Sequence, residues 1–214
     1  MPAPDAPIFD NLKDLSPETQ VLGVGGSPRK GGNSDILLNH IIRGALKNQL
    51  PATVVSLRDY QYQGCIGCER CRKDKICTGQ KDGMTLLYPA LIQSRGLVLA
   101  CPTHHYNVTA WMKAFIDRLY CFYDFDAGIP RGWSSRLADQ GRKAVLAAVC
   151  EQDSETDMGF TLKAMRLPLE ALGYEIVGEL PVFRIFARAK VKEEPEILNQ
   201  ATNLGAQLAK ALTD

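Results

Sequence analysis

The sequence predicts an α/β domain: a doubly wound, five-stranded parallel sheet with helices on both faces. Three observations predict it. Short apolar runs alternate with longer amphipathic stretches along the chain, the signature of βα units. The runs are apolar throughout rather than at every second residue, which suits strands buried on both faces. The polar clusters at 25–34, 58–83, 101–109 and 150–159 each follow such a run, and open parallel sheets bind ligands outside the carboxyl ends of their strands.

Residues 1–19 are rich in Pro and Asp and show no period, so an extended arm is expected there, with one domain over 20–214. Val21-Leu22-Gly23-Val24 reads as the first strand. A helix follows over 34–49, with Ile36, Leu37, Ile41 and Leu46 near helical spacing. The β-branched run 53–57 is the second strand, and 60–83 breaks the period as an insertion that carries the cysteines. Helix 84–93, strand 96–100 and a strongly apolar helix over 109–123 come next. Residues 124–141 read as a loop, with Gly128, Pro130 and Gly132. Strand 144–149 leads to a helix over 158–172, stopped by Gly173 and carrying Pro168 as a candidate kink. Strand 174–177 is the fifth. A helix over 195–212 closes the chain, with Pro195 in its first turn.

Composition narrows the function classes. The 214 residues are 45% hydrophobic and 23% charged, and Lys+Arg 25 against Asp+Glu 24 gives a net charge of +1. So even a balance argues against a nucleic-acid partner. No apolar run approaches the ~18 residues that span a bilayer, and the first residues lack a secretory pattern, so no membrane association is expected. Seven cysteines is an odd number, with four of them in the thirteen residues 65–77. That favours a metal or redox site in a reducing compartment, the cytoplasm, over a disulfide scaffold.

The first βα turn, Gly25-Gly26-Ser27-Pro28-Arg29-Lys30-Gly31-Gly32-Asn33-Ser34, is built for a phosphate. Its glycines, Gly32 among them, let backbone approach a ligand. Ser27, Asn33 and Ser34 offer donors, Arg29 offers a charged fork, and the helix N-terminus adds free N–H groups. Two better-known motifs fail. A dinucleotide fingerprint from Gly23 needs glycine where Pro28 stands, and a P-loop from Gly26 finds Gly32-Asn33 where Lys-Ser/Thr is required.

Ser27-x-Arg29-x-x-Gly32-Asn33-Ser34 resembles the phosphate loop of the flavodoxin-like NAD(P)H-dependent FMN reductases. The stretch from Cys101-Pro102-Thr103-His104-His105-Tyr106-Asn107 through Asp117-Arg118 is similar to their second flavin loop and its helix. The resemblance implies a flavodoxin-like fold, FMN as cofactor and NAD(P)H as a candidate donor. It implies that Ser27, Arg29, Gly32, Asn33 and Ser34 hold the FMN phosphate, that Pro102, Thr103, His104, His105, Tyr106 and Asn107 border the ring, and that 151–158 closes the other side. This chain departs from the pattern at His104, often Tyr in the family, and at Glu151-Gln152-Asp153, where the family is Gly-rich.

Cys65, Cys68, Cys71 and Cys77 stand as C-x2-C-x2-C-x5-C, close to the bacterial ferredoxin run, and the segment is similar to that of the iron–sulfur flavoproteins. The spacing favours one [4Fe–4S] cluster. Zinc, bare thiols and disulfides are the alternatives, the first disfavoured because four-cysteine zinc sites use two separated pairs. Gly67 is expected to relieve crowding between ligands, and Arg70, Arg72, Lys73 and Lys75 to offset cluster charge and attract an acidic carrier. Cys101, Cys121 and Cys150 read as core residues and His40 as solvent-facing. The stripe Trp111, Met112, Phe115, Ile116, Leu119, Tyr120 and Tyr123 is too wide for one sheet contact, so either the helix is deeply buried or part of it is an interface between copies. With the resemblance, it points to a homodimer or homotetramer.

The function expected is an FMN-binding redox protein that passes electrons between a [4Fe–4S] cluster and FMN, with ferredoxin or a small-molecule acceptor as partner. The alternatives are a cluster-free NAD(P)H-dependent FMN or quinone reductase and a zinc-stabilised flavin-binding module. No catalytic side chain is singled out.

Overall fold

The computed structural model describes residues 20–214, so the arm expected over 1–19 lies outside the described residues. The strands are β1 (Val21–Gly25), β2 (Ala52–Ser56), β3 (Gly96–Pro102), β4 (Tyr123–Phe125), β5 (Trp133–Ser135), β6 (Lys143–Val149) and β7 (Glu175–Val182). Five of them pair in parallel in the order β2-β1-β3-β6-β7. Counted within the sheet, that order is 2-1-3-4-5, the flavodoxin-like arrangement.

The helices are α1 (Asn33–Lys47), α2 (Cys71–Asp74), α3 (Met84–Gln93), α4 (Ala110–Arg118), α5 (Glu155–Met158), α6 (Thr161–Ala171) and α7 (Pro195–Thr213). Alternation along the strands feeds two cores. Val21, Val98, Val145 and Ala147 pack with α1 and α7, whereas Leu22, Val24, Leu97, Leu99 and Leu146 pack with α3, α4 and α6. Both faces of the sheet are therefore dry, and its loops are left to carry function.

Four elements differ from expectation, each for a local reason. The expected helix 158–172 is two helices, α5 and α6, separated at Gly159, whose φ is +61°. Strand β7 runs to Val182 rather than stopping at 177. It has a register shift opposite Ala144/Val145, and it accepts Pro181 because it is an edge strand. The apolar helix ends at Arg118 and tightens into a 3-10 turn over Leu119–Phe122. Its chain then enters the β4–β5 hairpin, read from sequence as loop. Two three-residue strands around a Gly/Pro-rich loop carry too short a period to register.

Most of the wide apolar stripe is explained within the chain, whereas Trp111 stays exposed and Tyr120 and Tyr123 are half-buried. Met112 and Phe115 are fully buried and Leu119 is 2% exposed. They belong to the core under β1, β3 and β6. That buried part of the stripe therefore does not argue for an interface between copies, and Phe115 is a core residue rather than a contact. His40, expected in solvent, is half-buried, with Nδ1 3.3 Å from Thr202 Oγ1 of α7. Burial lowers its pKa. Cys101, Cys121 and Cys150 are buried, as expected. Among the described residues no helix is long and apolar enough to cross a membrane.

Helices α1 and α7 cross backbone to backbone. A Cβ on Gly205 would overlap the Ile41 carbonyl, and one on Gly44 would overlap the Thr202 carbonyl. Gly205→Ala must push the two helices apart, so we expect a loss of about 1–3 kcal/mol in urea unfolding with an unchanged m-value. A wild-type midpoint would show that the crossing is looser than the structure has it.

Candidate functional site

A cavity of about 130 Å³ opens at the carboxyl ends of β1, β3 and β6. On one side it is lined by Ser27, Pro28, Arg29, Gly32, Asn33 and Ser34. The N-cap of α1 is Gly32, which offers no side chain to the first turn, so N–H groups of that turn remain for a ligand. Ser34 Oγ is buried without a hydrogen-bond partner, on a residue only 2% exposed. A buried hydroxyl lacking a partner is costly unless something occupies the space it faces. These donors suit an anion.

The loop is held from beneath. The Ser27 hydroxyl closes a short turn with the backbone of Arg29. Asp35 accepts from Gly31 N at 2.9 Å and pairs with Arg58, which also donates to Ser27 O at 3.0 Å. Neither Asp35 nor Arg58 was singled out in the sequence. The Asn33 side chain, expected to face the ligand, is engaged elsewhere. Its Nδ2 donates to Ala187 O at 2.9 Å and its Oδ1 accepts from Val191 N at 3.1 Å. From Asn33 the cavity receives backbone.

Pro102, Thr103 and His104 line the same cavity, and His105, Tyr106 and Asn107 lie outside that lining. His104 and Asn107 close a tight turn, His104 N to Asn107 O at 2.8 Å and Asn107 N to His104 O at 3.1 Å. Its central residues, His105 and Tyr106, have φ of 52° and 64°. Left-handed backbone in two consecutive side-chain-bearing residues costs energy that surrounding contacts must offset. One such contact is Phe160 N donating to Tyr106 O at 2.7 Å. Gly159 permits the approach, since a Cβ there would stand 2.5 Å from Tyr106 O. Glu151 lines the cavity from the loop after β6, and Ile185, Phe186 and Arg188 line it from the segment after β7. Sequence reading missed that last segment. Its alternation of Arg184, Phe186 and Arg188 was the available signal.

Thr109 links the two loops. Its hydroxyl, on a residue 2% exposed, donates to Gly26 O at 2.7 Å and accepts from Met112 N as the N-cap of α4. At the far end of α4, Asp117 and Tyr120 border a second cavity of about 370 Å³, together with Cys65, Cys68, Cys71 and Cys77. Eight residues of helix at 1.5 Å each put Thr109 about 12 Å from Asp117. Cys65 and Cys68 are exposed, and Cys71 and Cys77 half-buried. Burial, then the neighbouring Cys77, Cys65 and Cys68, push the Cys71 thiol up. Burial pushes Cys101 and Cys121 up to about 11, which keeps those two as neutral core thiols. The crowding expected at Gly67 is absent, since a Cβ there would meet nothing. What that position requires is φ of +65°. The close approach is at Gly79, where a Cβ would overlap Cys68 Sγ.

A model of the NADPH-dependent FMN reductase family matches residues 19–154. The chain belongs to that family. It is an FMN-binding redox protein, an oxidoreductase. It is similar to an iron–sulfur flavoprotein of Archaeoglobus fulgidus, with 28% identity over 192 residues, 90% of this chain and 80% of that one. To an iron–sulfur flavoprotein of Methanocaldococcus jannaschii it is 28% identical over 99 residues, 46% of this chain and 51% of the relative. Among solved structures, a flavone reductase superposes with a TM-score of 0.67 at 14% identity, over 91% of this chain and 63% of that chain. This last likeness is one of fold.

On this family fold the cysteine segment is fastened to α4 and the turn after it by polar contacts, the most buried at Arg118. Arg118, with its side chain 1% exposed, pairs bidentately with Asp82 at 2.7 and 3.0 Å and donates to Gln63 O at 3.0 Å. Tyr62 donates to Trp111 O at 2.6 Å, and Arg72 donates to the Tyr120 hydroxyl at 3.1 Å. Asp82→Ala leaves the Arg118 charge buried and unpaired. We expect a loss of about 3–5 kcal/mol in urea unfolding and new proteolytic cuts within 60–83. An unchanged midpoint would show that the pair contributes nothing to anchoring the segment.

Proposed function

We propose that the chain is an iron–sulfur flavoprotein, with FMN phosphate in the cavity at the N-terminus of α1 and a [4Fe–4S] cluster in the cysteine cavity, all within one domain over 20–214 into which 60–83 is inserted. The observation that carries the reading is that four thiols border one cavity at the end of the helix that starts at the flavin loop. When bound, FMN exchanges one or two electrons and the cluster one, so the pair links donors and acceptors of different electron count. The chain's own residues bind and orient. Ser34 Oγ, the first-turn N–H groups and Arg29 hold the phosphate, with Ser27, Gly32 and Asn33 shaping the loop. Pro102, Thr103 and His104 form the ring wall, and the turn at His105, Tyr106 and Asn107 holds it in place.

Cys65, Cys68, Cys71 and Cys77 are the proposed cluster ligands. Among the described residues, no three Cys, His, Asp or Glu side chains close on a point as a single ion demands. The same observation favours a second reading, a cluster-free NAD(P)H-dependent FMN or quinone reductase. The seven cysteines are all unpaired, in keeping with a reducing cytoplasm. Ferredoxin or a small-molecule acceptor is the proposed partner. Arg72 and Lys75 are tied to Glu69 and Asp124, which leaves Arg70 and Lys73 to attract an acidic carrier. A homodimer or homotetramer now rests on the apolar hollow among Tyr120, Tyr123, Phe125, Trp133 and Ala171, in place of the α4 stripe.

Anaerobic purification with iron, sulfide, zinc and flavin analysis tests the reading. Cys71→Ser should lose iron and keep FMN, whereas wild type that reconstitutes without iron moves the assignment to the cluster-free reductase. Arg29→Ala should weaken FMN binding by about 1.5–3 kcal/mol, the loss of a charge-assisted contact. Unchanged affinity would remove Arg29 from the phosphate site.

A further inference from the structure

The segment after β7 lies beyond residues 19–154, which the family model matches, yet it forms one wall of the anion cavity. Its position is specified by the phosphate loop itself. Asn33 grips it with both ends of its amide, at Ala187 O and Val191 N. Arg29 donates to Phe186 O at 3.3 Å and lies over the Phe186 ring, 4.9 Å from its centroid. This grip delivers Arg188 to the cavity lining, where its Nη2 comes within 3.5 Å of the Cβ position of Gly31. Arg188 is exposed and makes no ion pair or hydrogen bond among the described residues.

The cavity thus gathers three sources of positive potential: the first turn of α1, Arg29 and Arg188. Facing them is the buried, unpartnered Ser34 Oγ. Two guanidiniums on one small cavity repel each other unless an anion stands between them, and a phosphate monoester is the anion whose geometry both forks match. We infer that Arg188 is a second phosphate-reading arginine, acting across the cavity from Arg29, and that the Asn33 side chain is a positioning group that holds Arg188 in place. The inference rests on the proposed FMN reading of this site and adds to it a specificity determinant for FMN over riboflavin. The phosphate could equally belong to a nicotinamide dinucleotide, and the comparison of two flavins separates the sources.

The experiment titrates apo-protein with FMN and with riboflavin, followed by quenching of flavin fluorescence, in wild type, Arg188→Gln, Arg29→Gln, Asn33→Ala and the Asn33→Ala/Arg188→Gln double variant. Wild type should prefer FMN. Arg188→Gln should weaken FMN by about tenfold, the lower end for a charge-assisted contact at an exposed site, and leave riboflavin unchanged. The FMN loss should shrink as salt is added. If Asn33 acts through Arg188, the double variant should bind FMN no worse than Asn33→Ala alone. An Arg188→Gln protein with the full wild-type preference for FMN overturns the assignment, even if its NADPH affinity falls, because the arginine would then read the dinucleotide. Additive losses in the double variant overturn the positioning role of Asn33. Equal wild-type affinities for the two flavins would instead overturn the phosphate reading of the cavity, a different failure from that of Arg188.

Discussion

The last rung of the parallel ladder joins each functional loop to the strand beside it. Gly26 N donates to Ala100 O at 2.8 Å, Thr103 N to Val149 O at 2.7 Å and Cys150 N to Val182 O at 2.8 Å. Each donor is the first residue after its strand. Because all five strands run the same way, these rungs fall along one edge and set the loops side by side. Helices cover both faces, so backbone groups without partners in the ladder gather at that edge. The anion cavity forms where the rungs end.

Charge is distributed around this edge with a clear division of labour. Arg58 and Arg118 are each matched by a carboxylate, Asp35 and Asp82, and each also donates to a loop carbonyl. These two arginines fix loops, the first beneath the phosphate turn and the second beneath the cysteine segment. A buried pair of this kind is weak evidence for added stability, since desolvation offsets much of its attraction. Its effect here is geometric: each guanidinium reads carbonyl positions that a hydrophobic contact would leave free. Among the described residues Arg29 and Arg188 have no carboxylate partner, and both line the cavity, so the positive potential toward a ligand comes from them and from α1.

Helix α4 connects the two sites. Thr109 ties its first turn to the phosphate loop and Arg118 ties its last turn to the cysteine segment. Its side chains Met112, Phe115 and Ile116 fill the core beneath it. The fold therefore places the anion cavity and the four cysteines at opposite ends of one helix with a buried face, about 12 Å apart along its axis.

The order of strands and helices was legible from apolar period alone, because burial on both faces makes each strand a continuous apolar run. The Gly-rich turn and the cysteine run stood out too, since both are local patterns, and the structure sets each along a cavity. The breaks at Gly159 and Val177 and the three-residue hairpin strands escaped that reading. The first two are set by partners distant in sequence, Tyr106 against Gly159 and β6 against β7, and the hairpin strands are too short to show a period. The same limit applies to Asn33. Its place in the turn pointed to a ligand, and its amide instead holds residues more than 150 positions away. The sequence by itself determined which loops are rich in hydrogen-bond donors and which in thiols, because both are written as local patterns. Only the tertiary structure decided which way the side chains of those loops are turned, because a distant segment holds the Asn33 amide by both its ends, whereas a guanidinium such as Arg29 keeps further donors after one bond is made.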